Sequence, residues 1–221
     1  MMLSVRLNAI AECVPEGKIV ADIGTDHGYL PCALVERGVS PKAYACDIAK
    51  GPLEHARTAI VQAQLQDRIE TILTPGLKDV PSDAQVIVIA GMGWQTARII
   101  LENDYERLER FDMIIVQVNR EVASLREWIR DHGFMIHDEK IIEDRHTYQI
   151  VCFSKTEQPV EYTEEQILFG PVLMKQRNEV FVRYYSRTLA KLEKIIAQVS
   201  DEEKKDLLQK QIGQIQKLNL D

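Results

Sequence analysis

The stretch Val20-Ala-Asp22-Ile-Gly24-Thr-Asp26-His-Gly28-Tyr29-Leu-Pro31 constrains this 221-residue chain more than any other. Ile19 to Ile23 reads as a buried strand, the glycines as a turn, and the residues after Gly28 as a helix. Glycine lets a backbone approach a ligand closely, and a helix N-terminus presents N–H groups with no partner inside the helix. Pro31 suits the first helical turn, where its missing donor costs nothing. A strand, glycine turn and helix in this order is how doubly wound α/β domains hold a nucleotide-like ligand.

Spacing narrows the ligand. The dinucleotide fingerprint is G-x-G-x-x-G, whereas here the pattern is Asp22-x-Gly24-x-Asp26-x-Gly28. Asp26 stands where a bare backbone would make room for pyrophosphate, and its charge would repel one. S-adenosyl-L-methionine has no phosphate and carries a sulfonium and an amino group, so it fits. Capping of the helix by Asp26 is the other reading, and both can hold at once. Asp47 closes the apolar run Ala43–Cys46, a second strand, roughly 20 residues beyond the turn, where a ribose-binding acid is expected. Read locally, it caps the helix begun by Gly51-Pro52.

Hydrophobic content of 45% and charged content of 28% are ordinary for a globular protein. No run approaches the roughly 18 apolar residues of a membrane span, and no basic-then-apolar leader opens the chain. A cytoplasmic protein without membrane attachment is expected. Cys13, Cys32, Cys46 and Cys152 are scattered, with no C-x-x-C and no histidines at metal spacing, so no metal is expected. Cys32, Cys46 and Cys152 sit in apolar stretches that favour buried free thiols.

Ser4 caps a first helix with Leu7, Ile10, Ala11 and Val14 on its apolar side. Helices are expected over Tyr29–Arg37, Pro52–Gln64, Gln95–Asn103 and Glu121–His132. Strands are expected over Ile69–Leu73, Gln85–Ala90 and Met113–Gln117. Phe134–Ile142 and Tyr148–Phe153 are joined without room for a helix, so they pair antiparallel. Five β/α units and a terminal hairpin make an α/β fold with a seven-stranded mixed sheet, the pattern of Rossmann-like methyltransferases. Residues 1–155 form that domain and residues 156–221 a C-terminal α-helical hairpin.

In the latter, Phe181, Tyr185, Leu189, Leu192, Ile196 and Val199 make one stripe. Ser200-Asp-Glu-Glu203 reads as a capping box for a second helix carrying Leu208, Ile212, Ile215 and Leu218. The net charge of −7 argues against nucleic acid, but its distribution matters more than its sum. Lys175, Arg177, Arg183, Arg187, Lys191 and Lys194 outweigh Glu179 and Glu193 on one expected helix from Pro171 to Lys194. That face is either simply solvated or contacts RNA.

Asp22-Ile-Gly-Thr-Asp26-His-Gly-Tyr-Leu-Pro31, Ile89-Ala-Gly-Met-Gly93, Gln117-Val-Asn119, Leu125-Arg-Glu-Trp128, Gly133-Phe134 and Phe169-Gly-Pro171 together resemble the bacterial tRNA (adenine-22-N1)-methyltransferase family. The resemblance spans essentially the whole chain, the first of these stretches being the most specific. It implies class I S-adenosylmethionine-dependent transfer to N1 of an adenine in tRNA, a Rossmann-like catalytic domain, and a coiled-coil-like C-terminal domain that helps hold tRNA. The implied cofactor contacts are Asp22, Gly24, Thr25, Asp26, Gly28, Asp47, Ile48, Gly76, Leu77, Ala90, Gly91 and Met92.

Three positions depart from the family pattern. Trp94 replaces a glycine, Val118 a proline, and Pro75 an aspartate in the third-strand loop, where a carboxylate often contacts the cofactor's adenine. Trp94 either narrows the substrate mouth, stacks on a base, or faces the core.

Adenine N1 has a lone pair and no proton, so attack on a sulfonium methyl needs no prior deprotonation. Alignment and negative potential near the base then carry catalysis. Asp26 supplies the charge, and Tyr29 and Asn119 line the base pocket. His27 contacts the base or an RNA phosphate, or is a satisfied turn residue. Lys175, Arg177, Arg183, Arg187 and Lys191 are the candidate RNA contacts. The competing readings are methyl transfer to another RNA site or a small molecule, an NAD-linked oxidoreductase, and a catalytically silent RNA-binding module. A monomer or weak dimer is expected, the hairpin's exposed edge being the surface for pairing.

Overall fold

The computed structural model describes residues 2–220, which divide into two compact units after Glu161. The expected junction at residue 155 coincides instead with the end of the last strand. In the first unit, α1 (Val5–Ala11) starts at Ser4, whose hydroxyl accepts from the Leu7 N–H at 3.2 Å. Then come β1 (Val20–Ile23), α2 (Tyr29–Glu36), β2 (Ala43–Asp47), α3 (Lys50–Gln62) and β3 (Ile69–Leu73). Residues 74–85 return to β4 (Val86–Met92) without a helix, so one of the five expected β/α units lacks its helical half. The unit continues with α4 (Trp94–Asn103), α5 (Tyr105–Leu108), β5 (Met113–Val118), α6 (Val122–Asp131), β6 (Phe134–Glu143) and β7 (Thr147–Lys155).

The strands form one seven-stranded sheet in the order β3-β2-β1-β4-β5-β7-β6. The first five run parallel; β7 lies antiparallel between β5 and β6. All residues of β1 and β2 are buried, as expected of parallel strands covered on both faces. Leu30, Ala33 and Leu34 of α2 pack with Ile10 of α1 over Val20, Val86, Val88 and Ile115. Cys32 and Val35 of α2 pack with Ala56, Ala59 and Ile60 of α3 over Ala43, Ala45 and Ile69. The four cysteines are free thiols, three of them buried as expected.

From β1 the chain steps outward through β2 and β3, then comes back to β4 on the other side of β1 and proceeds to β5. This reversal opens a crevice beyond the carboxyl ends of β1 and β4, where doubly wound sheets bind ligands.

Behind the crevice, α6 is anchored by a charge that its apolar periodicity conceals. Arg126 is fully buried and donates from Nε to Oε1 of the equally buried Glu139 on β6 at 2.7 Å. Its Nη2 reaches Oε1 of Gln149 on β7 at 2.6 Å. One guanidinium thus ties a helix to both strands of the hairpin.

The second unit contains α7 (Glu164–Phe169), α8 (Leu173–Gln176), α9 (Glu179–Ile196) and α10 (Glu202–Gln216). Thr163 and Gln166 form a reciprocal capping box on α7. The helix expected from Pro171 onward is broken: Arg177 turns left-handed at φ 44° and Asn178 caps α9 by accepting from the Phe181 N–H at 2.9 Å. The box expected at Ser200 is also displaced. Asp201 caps α10, accepting from the Lys204 N–H at 3.1 Å, because it stands one residue nearer the helix and its carboxylate reaches the third N–H of the first turn. Helices α9 and α10 pack on each other through the expected stripe, with Phe181, Tyr185, Ile215 and Leu218 buried and the remainder half-buried.

Candidate active site

At the crevice, Asp22 lies one residue before the end of β1 with its carboxylate buried, and the Thr25 hydroxyl donates to its Oδ2 at 2.7 Å. Burial is the main influence on this group and pushes its pKa from 3.8 to about 6. The Thr25 hydrogen bond and the Arg6 charge oppose the rise, and Asp47 adds to it. The turn beyond is fixed by its backbone. The N–H groups of Gly24 and Thr25 donate to Cys46 O, and that of Asp26 donates to Oδ2 of Asp47 at 3.3 Å. Asp47 also accepts from the Ala49 N–H at 3.0 Å; Ala49, not Asp47, is the capping residue of α3.

Asp26 does not cap α2 either. Gly28 occupies that position, left-handed at φ 68°, with no side-chain cap. The Asp26 carboxylate is therefore available at the mouth of the crevice, where its own backbone is left-handed at φ 53° and its side chain is 67% exposed. Gly24 stands at φ 77°, where a side chain is strained, and a Cβ there would also come within 3.1 Å of Met92 Cε. Gly28 meets a different demand: a Cβ would lie 3.0 Å from that of Ala56, so its bare backbone serves the packing of the turn on α3 rather than ligand approach.

The opposite wall is a bulge in β4. The register with β5 shifts between Ala90 and Met92, leaving Gly91 as the extra residue at φ 79°. The Gly91 N–H donates to Oε1 of the buried Gln117 at 3.2 Å, and its carbonyl accepts from Nδ2 of Asn119 at 3.1 Å. Gln117 Nε2 donates to Asn119 Oδ1 at 3.3 Å, and Arg6 Nη1 donates to Gln117 Oε1 at 2.9 Å. Asn119 thus fixes the wall at its exposed end, while Arg6 arrives from α1 as a cation that the turn-and-strand pattern did not reveal.

Asp22, Gly24, Thr25, Asp26, His27, Tyr29, Ala90 and Gly91 line one cleft of about 250 Å³, joined by Arg6, Leu7 and Leu30. Asp47 and Asn119 adjoin it through their bonds to Asp26 and Gly91, and Ile48 lies exposed after Asp47. Tyr29, half-exposed, stacks on the His27 ring at 5.2 Å, and His27 on the ring of His55 at 4.9 Å.

Other expected contacts are not brought here. Leu77 is fully buried and its N–H is taken by Asp104 Oδ2 at 2.8 Å; the same carboxylate crowds Gly76. An aspartate does brace the Pro75 loop, but it comes from beyond α4. Trp94 is buried at the first turn of α4, so the indole packs in the core and offers no stacking surface. Among the basic residues, Arg177 donates to the carbonyls of Leu218 and Asn219, so its guanidinium holds the end of the helical unit. Lys175 lies on α8, apart from the face of α9 that Arg183, Arg187 and Lys191 share. The sequence spacing that argued against a metal did not bring Asp26, His27 and His55 together; in the fold their ligand atoms lie within 4.8 Å of one another.

Residues 20–219 match the family model described as tRNA (adenine(22)-N(1))-methyltransferase. The Bacillus subtilis tRNA (adenine(22)-N(1))-methyltransferase is 32% identical over 206 residues, 90% of this chain and 87% of that relative. A Streptococcus pneumoniae protein in complex with S-adenosyl-L-methionine superposes with a TM-score of 0.89 at 33% identity, over 98% of this chain and 99% of the other. M. capricolum TrmK, bound to S-adenosyl-homocysteine, superposes with a TM-score of 0.87 at 33% identity, over 100% and 99%.

Proposed function

Because the chain belongs to the tRNA (adenine(22)-N(1))-methyltransferase family, we propose that it transfers the methyl group of S-adenosyl-L-methionine to N1 of adenine 22 in tRNA. The observation that carries this is the sign of the cleft. Asp22 and Asp26 line it and Asp47 is bonded to its turn, against the one guanidinium of Arg6, so phosphate is repelled and a cationic ligand is favoured. The donor fits these residues: Asp22 and Asp26 face the site where a sulfonium and an ammonium would be held, and Asp47 is placed to accept ribose hydroxyls. When bound, S-adenosyl-L-methionine supplies an electrophilic methyl group.

The chain's own contribution is alignment and potential. Adenine N1 brings its lone pair without prior loss of a proton, and positive charge develops on the ring as the bond forms. Asp26 stabilises that charge across the cleft mouth, with Tyr29 against the base and Asn119 holding the Gly91 wall. The methyl–sulfur bond breaks as the N1–methyl bond forms, which would leave a neutral thioether and a cationic base that can shed a proton to solvent. The second unit presents Arg183, Arg187 and Lys191 to the tRNA backbone, a sequence-independent attraction. No helix among the described residues is long and apolar enough to cross a membrane, and the proposed substrate puts the enzyme, as a monomer or weak dimer, in the cytoplasm.

Asp26→Ala tests the assignment. Methylation of unmodified tRNA should fall by at least about 10²-fold with the circular dichroism spectrum unchanged. Undiminished turnover removes Asp26 from the mechanism. Mapping the product to an atom other than N1 of adenine 22 overturns the activity.

A further inference from the structure

We propose that Asp26, His27 and His55 form a binding site for a divalent transition-metal ion such as Zn²⁺, and that filling it switches off methyl transfer. The second half rests on the reading of Asp26 given above. His27 Nε2 lies 3.5 Å from Asp26 Oδ2, and one ligand atom from each of the three side chains falls within 4.8 Å of the other two. A tetrahedral ion with bonds of about 2.0–2.1 Å holds its donors about 3.4 Å apart, so side-chain rotations of Asp26, His27 and His55 close the set without moving the backbone. Two imidazoles and one carboxylate suit Zn²⁺, Cu²⁺, Ni²⁺ or Co²⁺, whereas Mg²⁺ and Ca²⁺ require oxygen donors.

The spacing is built into the backbone. Gly28 seats against Ala56, the residue after His55, with no room for a side chain between them. The turn carrying Asp26 and His27 is therefore locked to α3 at the level of His55. The two imidazoles stack with centroids 4.9 Å apart, so they must tilt out of that stack for their in-plane lone pairs to converge on one ion, while the locked backbone keeps both within reach. His55 does not line the cleft, but Asp26 and His27 do. An ion held here neutralises the Asp26 carboxylate and pins His27 at the mouth through which the base must enter.

Co²⁺ added to the chelator-treated full chain provides a visible absorption band without reference to activity. Binding should be displaced by Zn²⁺ and not by Mg²⁺. His55→Gln lies outside the cleft, on an exposed helix face, and should keep metal-free turnover. Its Co²⁺ affinity should drop at least about tenfold, as even outer-shell losses do, and half-inhibition by Zn²⁺ should shift upward by the same factor. His55→Cys, which restores a donor, should recover both. Unchanged Co²⁺ affinity in His55→Gln overturns the site, and Zn²⁺ binding that leaves turnover intact overturns the switch. The metal-free turnover of Asp26→Ala reports separately on the catalytic reading, so the two failures are distinguishable.

Discussion

Glu139 and Asp22 of the first unit are both taken out of water, and they are treated in opposite ways. Glu139 faces a guanidinium at 2.7 Å that is itself held by Gln149, so its charge is compensated within the fold. Asp22 has the Thr25 hydroxyl at 2.7 Å and no ion-pair partner among the described residues, and burial raises its pKa to about 6. The first arrangement is complete without a ligand; the second becomes complete when a cation enters the cleft. A buried charge left short of partners is thus a mark of a binding site, whereas a fully partnered one marks scaffold.

The contrast can be broken most forcefully at Arg126. Arg126→Met strands a buried carboxylate and should cost about 3–5 kcal/mol in urea denaturation, whereas Arg126→Met with Glu139→Leu should recover most of that loss. A double variant no better than the single would mean that the pair is worth more than its mutual compensation. At Asp22 the sign reverses. A carboxyl whose native pKa is raised binds its proton more tightly in the folded than in the unfolded chain. Stability therefore falls as pH rises from about 4 to about 6, and the cost of about 2–3 kcal/mol persists at neutral pH. Asp22→Asn should be more stable than the parent by up to about 2 kcal/mol at pH 7, with the gain gone below about pH 4. Calorimetry of the same variant should show weakened S-adenosyl-L-methionine binding, and the parent's affinity should climb as pH rises through about 6. Lys191 on α9, exposed to solvent, sits at the weak end of the scale. Lys191→Glu should lower tRNA affinity by about three- to tenfold in low salt and less in high salt, leaving cofactor affinity untouched.

How much of this was legible in the sequence depended on range. The β1 turn, the parallel strands and the terminal hairpin announce themselves through local periodicity and glycine placement, and with the contacts that the family resemblance implies they account for eight of the cleft's residues. Arg6, Gln117 and His55 become relevant through contacts across the fold, which no window of sequence contains. Arg126 escaped because it lies beside Leu125 on the buried face of α6, where an apolar count assigns charge to solvent. Trp94 was ambiguous for the opposite reason: an indole suits core and rim alike until α4 is seen to begin one residue early. Capping at Asp201 rather than Ser200 shows the same one-residue indeterminacy at helix ends.

The bulge at Gly91 has a consequence for how such a chain can drift. A methyl group there would sit 3.2 Å from Arg6 Nη1, on a backbone whose φ of 79° already disfavours one. Displacing Arg6 loosens Gln117, and loosening Gln117 frees Asn119 and the strand it steadies. Arg6, Gly91, Gln117 and Asn119, far apart in the sequence, are thereby bound into a single unit: a side chain at Gly91 has to carry the strained backbone and displace the arginine above it as well.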